Sequence, residues 1–143
     1  MKLSQLENNI KNKKSFLCLG LDSDIDKIPK HLLGNSDPVF EFNKILIDEL
    51  NQKIVAVKLN TAFYESRGAA GWTSMEKTIN YLNKFYPELF TIADAKRGDI
   101  GNTSKMYAKA FFENLNFDSI TLSPYMGMDC LLYTSPSPRD SCA

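Results

Sequence analysis

Hydrophobic positions along the chain fall into short continuous runs separated by longer stretches of helical spacing. Phe16 to Leu21 (FLCLGL), Ile54 to Leu59 (IVAVKL), Leu89 to Ala93 and Phe117 to Leu122 (FDSITL) are such runs. Each reads as a buried strand of a sheet covered on both faces. Between them, Leu3 to Asn12 is a short, weakly amphipathic helix candidate. Val39 to Asn51 carries Phe42, Ile45, Leu46 and Leu50 at helical spacing, with Asp37 as cap and Pro38 at the first helical position. Gly71 to Lys84, closed off by Pro87, and Thr103 to Asn114 complete the helices. The rhythm of strand, loop and helix repeats every roughly 30 to 35 residues and predicts parallel β/α units, either in a doubly wound sheet or in a β/α barrel.

Polar residues collect at one place in this rhythm. Asp22 ends strand one, Lys58 and Asn60 end strand two, Asp94 and Lys96 end strand three, and Ser123 follows strand four. The carboxyl ends of parallel strands are where β/α folds hold their chemistry. Four consecutive strands delivering polar groups to one rim therefore point to a site. GLDSD, after the first strand, is not the GxGxxG of dinucleotide binding, and no Walker-type loop is present. Taken residue by residue, DAKRGD is also compatible with a solvated turn, and Lys58 with a strand-end lysine reaching for water.

Bulk properties narrow the class. A chain of 143 residues with 43% hydrophobic and 24% charged residues has the composition of a globular domain. Lys plus Arg and Asp plus Glu are both 17, a balance that calls for neither nucleic acid nor an anionic membrane as partner. No apolar run approaches the roughly 18 residues of a membrane span, and MKLSQLENNIKNKK lacks a signal peptide's apolar segment. The three cysteines have no framework spacing, which suggests a reducing compartment, so the cytoplasm is expected. With His31 as the one histidine, a histidine-based metal site is not expected. Gly20, Gly98 and Gly101 are expected to permit backbone turns, and Trp72 and Met75 to serve packing.

Four segments together carry a resemblance to a known family: GLDSD (Gly20 to Asp24), AVKLNTAFYE (Ala56 to Glu65), IADAKRGDIGNTS (Ile92 to Ser104) and TLSPYMG (Thr121 to Gly127). With its DxKxxD spacing paired to the upstream VKLN, the chain resembles the orotidine 5'-phosphate decarboxylases, in particular their longer bacterial subgroup, through to about Met128. The resemblance implies a homodimeric (β/α)8 TIM barrel, of which about the first four β/α units are present. It implies decarboxylation of orotidine 5'-phosphate to UMP and carbon dioxide without metal or organic cofactor. Lys58, Asp94, Lys96 and Asp99 match the family's alternating charge network, with Lys96 as proton donor. Asp99, Ile100 and Thr103 match residues reaching into the other subunit's site. Asp22 matches the strand-one aspartate near the ribose and base; Asn60 and Ser123 are further candidate substrate contacts. A phosphosugar-acting barrel decarboxylase or aldolase, metal-dependent in some relatives, and a non-catalytic nucleotide-binding barrel are the competing readings.

After Met128 the pattern breaks, into DCLLYTSPSPRDSCA. Neither periodicity continues, and CLLYTSPSPRD reads like an in-frame translation of a sequencing adapter. The expected division is therefore 1–129 as the N-terminal half of a barrel and 130–143 as an artefactual tail. An eight-stranded barrel takes about 250 residues. The phosphate-gripping arginine and closing loop would lie in the other half, and this polypeptide by itself is expected to be inactive.

Overall fold

The computed structural model describes residues 1–123, and the segment expected to be an adapter-derived tail lies outside them. Helix α1 (Leu3–Lys13) precedes strand β1 (Leu17–Gly20). Two short 3-10 turns lead to α2 (Pro38–Leu50) and β2 (Ile54–Asn60). A short helix α3 (Thr61–Glu65) and the long α4 (Gly68–Phe85) follow, then β3 (Phe90–Arg97). Helix α5 (Gly101–Ala108) continues as a π-helical stretch over Lys109–Asn114 and leads to β4 (Ser119–Leu122). The four strands are all parallel and lie in the order β1-β2-β3-β4. A doubly wound sheet would reverse its strand order at a switch point. Strictly sequential order with helices between is the arrangement of successive units in a β/α barrel, and the chain is an α/β fold of four such units.

The start of α2 follows the predicted chemistry. Asp37 caps α2, its Oδ1 accepting the Phe40 N–H at 3.2 Å, and Pro38 occupies the first turn where no N–H is needed. Asn60 caps α3 in the same way through Ala62 N–H at 3.2 Å. Gly68, with φ of +61°, makes the tight turn between α3 and α4 that a side chain would disfavour. The core lies between the sheet and helices α2 to α4, where Val39, Ile47, Val57, Leu59, Met75, Ile79 and Leu82 are all fully buried. At the opposite end of the strands, α1 is tied down by Lys13 Nζ, which donates to Asn51 O at 2.6 Å and Ile54 O at 3.0 Å.

Two expectations are corrected. Strand β1 is not buried: Phe16 is 84% and Leu17 60% exposed, and Cys18 is exposed too. The strand lies at the edge of the sheet, where an apolar run finds only one neighbouring strand among the described residues. Strand β3 does not stop at Ala93 but runs on to Arg97. Asp94 and Lys96, expected at the end of this strand, lie within it. Along β3 burial alternates, with Thr91, Ala93 and Ala95 buried on the helix side and Ile92 and Asp94 less so. Asp94 and Lys96 are thus on the opposite, inner face.

Candidate active site

The site is built at the carboxyl ends of the strands, on the inner face. Parallel register sets Gly20 beside Lys58, and Asn60 beside Asp94. Paired residues point to the same side of a sheet, so Lys58, Asn60, Asp94 and Lys96 share one surface. Lys58 Nζ lies 3.1 Å from Asp22 Oδ1 and 3.3 Å from Asp94 Oδ2. Lys96 Nζ lies 2.6 Å from Asp94 Oδ1. The charges alternate in one line, Asp22–Lys58–Asp94–Lys96, and Asn60 Nδ2 donates to Asp22 Oδ2 at 3.4 Å.

Exposure is graded along this line. The Asp94 side chain is 14% exposed and that of Lys58 31%, whereas that of Lys96 is 64% exposed. Asp94 is the anchored centre and Lys96 the open end. The hydrogen bond from Lys96 holds the Asp94 carboxyl below the usual carboxylate range against the opposing effect of burial, with help from Thr121 and Lys58. Burial works to lower Lys58, but its bonds to Asp22 and Asp94 outweigh that and hold its ammonium above the usual lysine range. Both central groups are therefore fixed in their charged forms at neutral pH.

Asp22 is set by residues on either side. Leu21 N–H donates to Lys58 O at 2.8 Å, and Leu21 O accepts from the Tyr64 hydroxyl at 3.0 Å. Ser23 Oγ donates to Asn43 Oδ1 at 2.5 Å. Asn43, fully buried on α2, donates in turn to Tyr64 Oη at 2.9 Å and Thr78 Oγ1 at 3.1 Å. One buried polar cluster thus joins α2, α3 and α4 to the segment carrying Asp22. Burial pushes the Tyr64 hydroxyl well above the usual tyrosine range, so it remains a donor.

The backbone at Lys96 is unusual. Its φ is +48°, a left-handed value that a side chain disfavours, and it falls where the β3–β4 register breaks. Ala93 pairs with Ile120 and Arg97 with Leu122, so four steps along β3 match two along β4. Such a bulge re-aims side chains next to a site. The left-handed turn is made by Lys96 itself, and none of Gly20, Gly98 and Gly101 has a positive φ. Beyond the bulge, Arg97 points to the helix side, where it pairs with Glu65 and lies 5.6 Å from the Tyr107 ring.

Not every expected residue joins the cluster. Asp99, expected to reach the other subunit's site, has no cation within ion-pair distance among the described residues of its own chain; its Oδ1 accepts the N–H of Ile100 at 2.7 Å. Within this chain Asp22 is the fourth member of the alternating line. Ile100 caps α5 and is 66% exposed, and Thr103 is exposed on the first turn of that helix. Ser123 enters through its backbone, its N–H donating to Arg97 O at 2.7 Å. Thr121, on the inner face of β4, was not among the candidates. Its hydroxyl donates to Asp94 Oδ1 at 2.9 Å and accepts the Lys96 N–H at 3.0 Å. Its signal in the sequence is a polar residue two places from both Ser119 and Ser123 in a strand. Among the described residues, no three His, Cys, Asp or Glu side chains converge as a metal-binding group.

Known proteins resemble this chain in sequence and fold. Residues 15–132 match the model of the "Orotidine 5'-phosphate decarboxylase / HUMPS family". The chain is 64% identical over 129 residues to an orotidine 5'-phosphate decarboxylase of Flavobacterium johnsoniae, covering 90% of this chain and 47% of that protein. It is 60% identical, with the same coverage, to one of Bacteroides fragilis. Among solved structures, the OMP decarboxylase of Leishmania donovani matches with a TM-score of 0.72 and 34% identity, over 90% of this chain and 46% of that one. The UMP synthase of the same organism matches with a TM-score of 0.74 and 36% identity, over 92% and 27%. The chain spans about half the length of the curated relatives it matches, corresponding to their N-terminal part. By the extent of the family match and the shared fold, this chain belongs to the orotidine 5'-phosphate decarboxylase / HUMPS family.

Proposed function

We propose that a full-length protein carrying this segment decarboxylates orotidine 5'-phosphate to UMP and carbon dioxide, completing UMP synthesis in the cytoplasm as a homodimer. The observation that carries this reading is the Asp94 carboxylate clamped between two ammonium groups, one of them open to an incoming ligand. In the reaction the bond from C6 of the pyrimidine to its carboxylate breaks, and the electron pair remains on C6. A cation fixed beside that carbon stabilises the charge as it develops and then supplies the proton. Lys96, with its exposed ammonium and anchored backbone, takes both tasks.

Asp94 faces the substrate carboxylate, so their repulsion is relieved as carbon dioxide departs. Lys58 keeps Asp94 ionised and holds Asp22 toward the ribose and base, with Asn60 bonded to Asp22. Ser123 stands at the rim as a further contact to the pyrimidine. Asp99, Ile100 and Thr103, at the start of α5, reach into the neighbouring subunit's site. Binding energy from the phosphate, gripped by the other half of the barrel, holds the base against these groups. Residues 1–129 are the barrel's N-terminal half and 130–143 an appended artefact, so the 143-residue polypeptide by itself is inactive. No cofactor enters this scheme.

The test is to follow loss of orotidine 5'-phosphate absorbance in a full-length protein carrying residues 1–123, with and without chelator. Chelator-insensitive turnover supports the reading. A metal requirement without action on this substrate would indicate a different phosphosugar enzyme, and binding without turnover a non-catalytic barrel.

A further inference from the structure

Thr121 holds two groups of the site at once, and it does so where β3 loses its register with β4. At the bulge, the Lys96 N–H has no regular place in the β3–β4 ladder, and it is taken by Thr121 Oγ1 at 3.0 Å. The same oxygen has one proton to give, and its donation to Asp94 Oδ1 at 2.9 Å uses it. The hydroxyl thus bridges the backbone of the lysine to the carboxylate whose side chain that lysine also grips. Removing the hydroxyl would release the left-handed backbone at Lys96 and leave Asp94 Oδ1 with one donor fewer.

We infer that Thr121 is a positioning residue that, through this one hydroxyl, fixes the Lys96 backbone in its left-handed turn and orients Asp94. This rests on the proposed decarboxylase reading for its consequence in catalysis, but not for its effect on Asp94. Groups facing Asp94 come from three other places: Lys58 on β2, Lys96 on β3 itself and, through Lys58, Asp22 after β1. Thr121 is the contribution of β4. The methyl group of Thr121 does not enter the bridge, so valine conserves shape and serine conserves function.

Two readouts in a full-length protein carrying residues 1–123 separate this role from simple packing. The first is the titration of the Asp94 carboxyl carbon by NMR in wild type, Thr121→Val, Thr121→Ala and Thr121→Ser. Loss of the hydroxyl moves the midpoint upward in Val and Ala, and serine restores it. The second is steady-state kinetics on orotidine 5'-phosphate. Turnover falls about 10- to 100-fold in the hydroxyl-free variants, with little change in KM and with recovery in serine. An unchanged Asp94 titration in either folded hydroxyl-free variant overturns the inference, as does wild-type turnover in that variant. A wild-type protein that does not act on orotidine 5'-phosphate defeats the functional reading instead, and the titration still decides the role of Thr121.

Discussion

Asp94 and Lys96 sit two residues apart on β3 and their side chains meet, Nζ to Oδ1, at 2.6 Å. Alternate residues of a strand share a face, and the bulge with its left-handed turn at Lys96 brings the long side chain back over its neighbour. The second carboxylate oxygen is held by Lys58 from the adjacent strand at 3.3 Å. An acid between two bases is thereby fixed at the rim of the sheet without use of a loop.

That pairing has a dependence on pH with a definite sign. The Asp94 carboxyl is held down in the folded chain, first by Lys96. Its stabilising contribution is complete above the ordinary carboxylate range, near about pH 4, and is lost as pH falls through the lowered folded value. Lys58 is held up by Asp22 and Asp94 against burial. Its contribution is complete below the ordinary lysine range, near about pH 10, and is lost as pH rises through the raised folded value. The unfolding midpoint of a full-length protein should therefore lose stability from this cluster only at the two extremes. Lys58→Met should remove the alkaline loss and move the Asp94 titration upward; an unchanged Asp94 titration would break the proposed link.

The buried polar cluster around Asn43 predicts a stability effect remote from the rim. Asn43→Ala leaves the hydroxyls of Ser23, Tyr64 and Thr78 short of partners in a sealed space. A cost of about 2 to 4 kcal/mol is expected, read as a shift in the urea midpoint. Because the cluster holds the residues flanking Asp22, substrate affinity should weaken as well. A variant as stable as wild type would show that the cluster does not brace this segment.

Gly71 predicts a steric effect. A Cβ there would lie 1.7 Å from the carbonyl oxygen of Tyr64, backbone that cannot swing aside. Gly71→Ala should cost about 3 kcal/mol or more by forcing α4 away from α3. Thermal melting of the variant measures it, and a melt within a degree or two of wild type would contradict the close helix approach.

Asp99, Ile100 and Thr103 lead to a prediction about assembly. If Asp99 serves the neighbouring site, Lys96→Ala and Asp99→Ala subunits, each nearly inactive as a homodimer, should regain activity when mixed. One site of the mixed dimer then carries Lys96 from one subunit and Asp99 from the other. Failure of mixed dimers to recover turnover would place Asp99 in the site of its own chain.

Much of this was legible in the sequence, for physical reasons that differ by element. Strand β2 showed as a near-continuous apolar run because most of its residues are buried, and α2 declared itself through Asp37 and Pro38. The rim positions of Asp22, Lys58 and Asp94 followed from those strands. Strand β3 looked shorter than it is because charges replace apolar residues on its inner face while Ala95 continues the buried one. The burial of β1 could not be read, since an apolar run does not reveal whether it will lie at an edge. Helix α3, five residues long, is too short to show periodicity. Thr121 was hidden because its two contacts depend on a register break that only the β3–β4 pairing reveals.

The central claim is that Lys96, held by Asp94, is the group on which decarboxylation depends. Its most direct test compares turnover of orotidine 5'-phosphate by a full-length protein carrying residues 1–123 with that of its Lys96→Ala variant, alongside the thermal melt of each. The predicted result is a fall in turnover of at least about 100-fold with the melt preserved. A folded Lys96→Ala protein that decarboxylates at the wild-type rate would contradict the account.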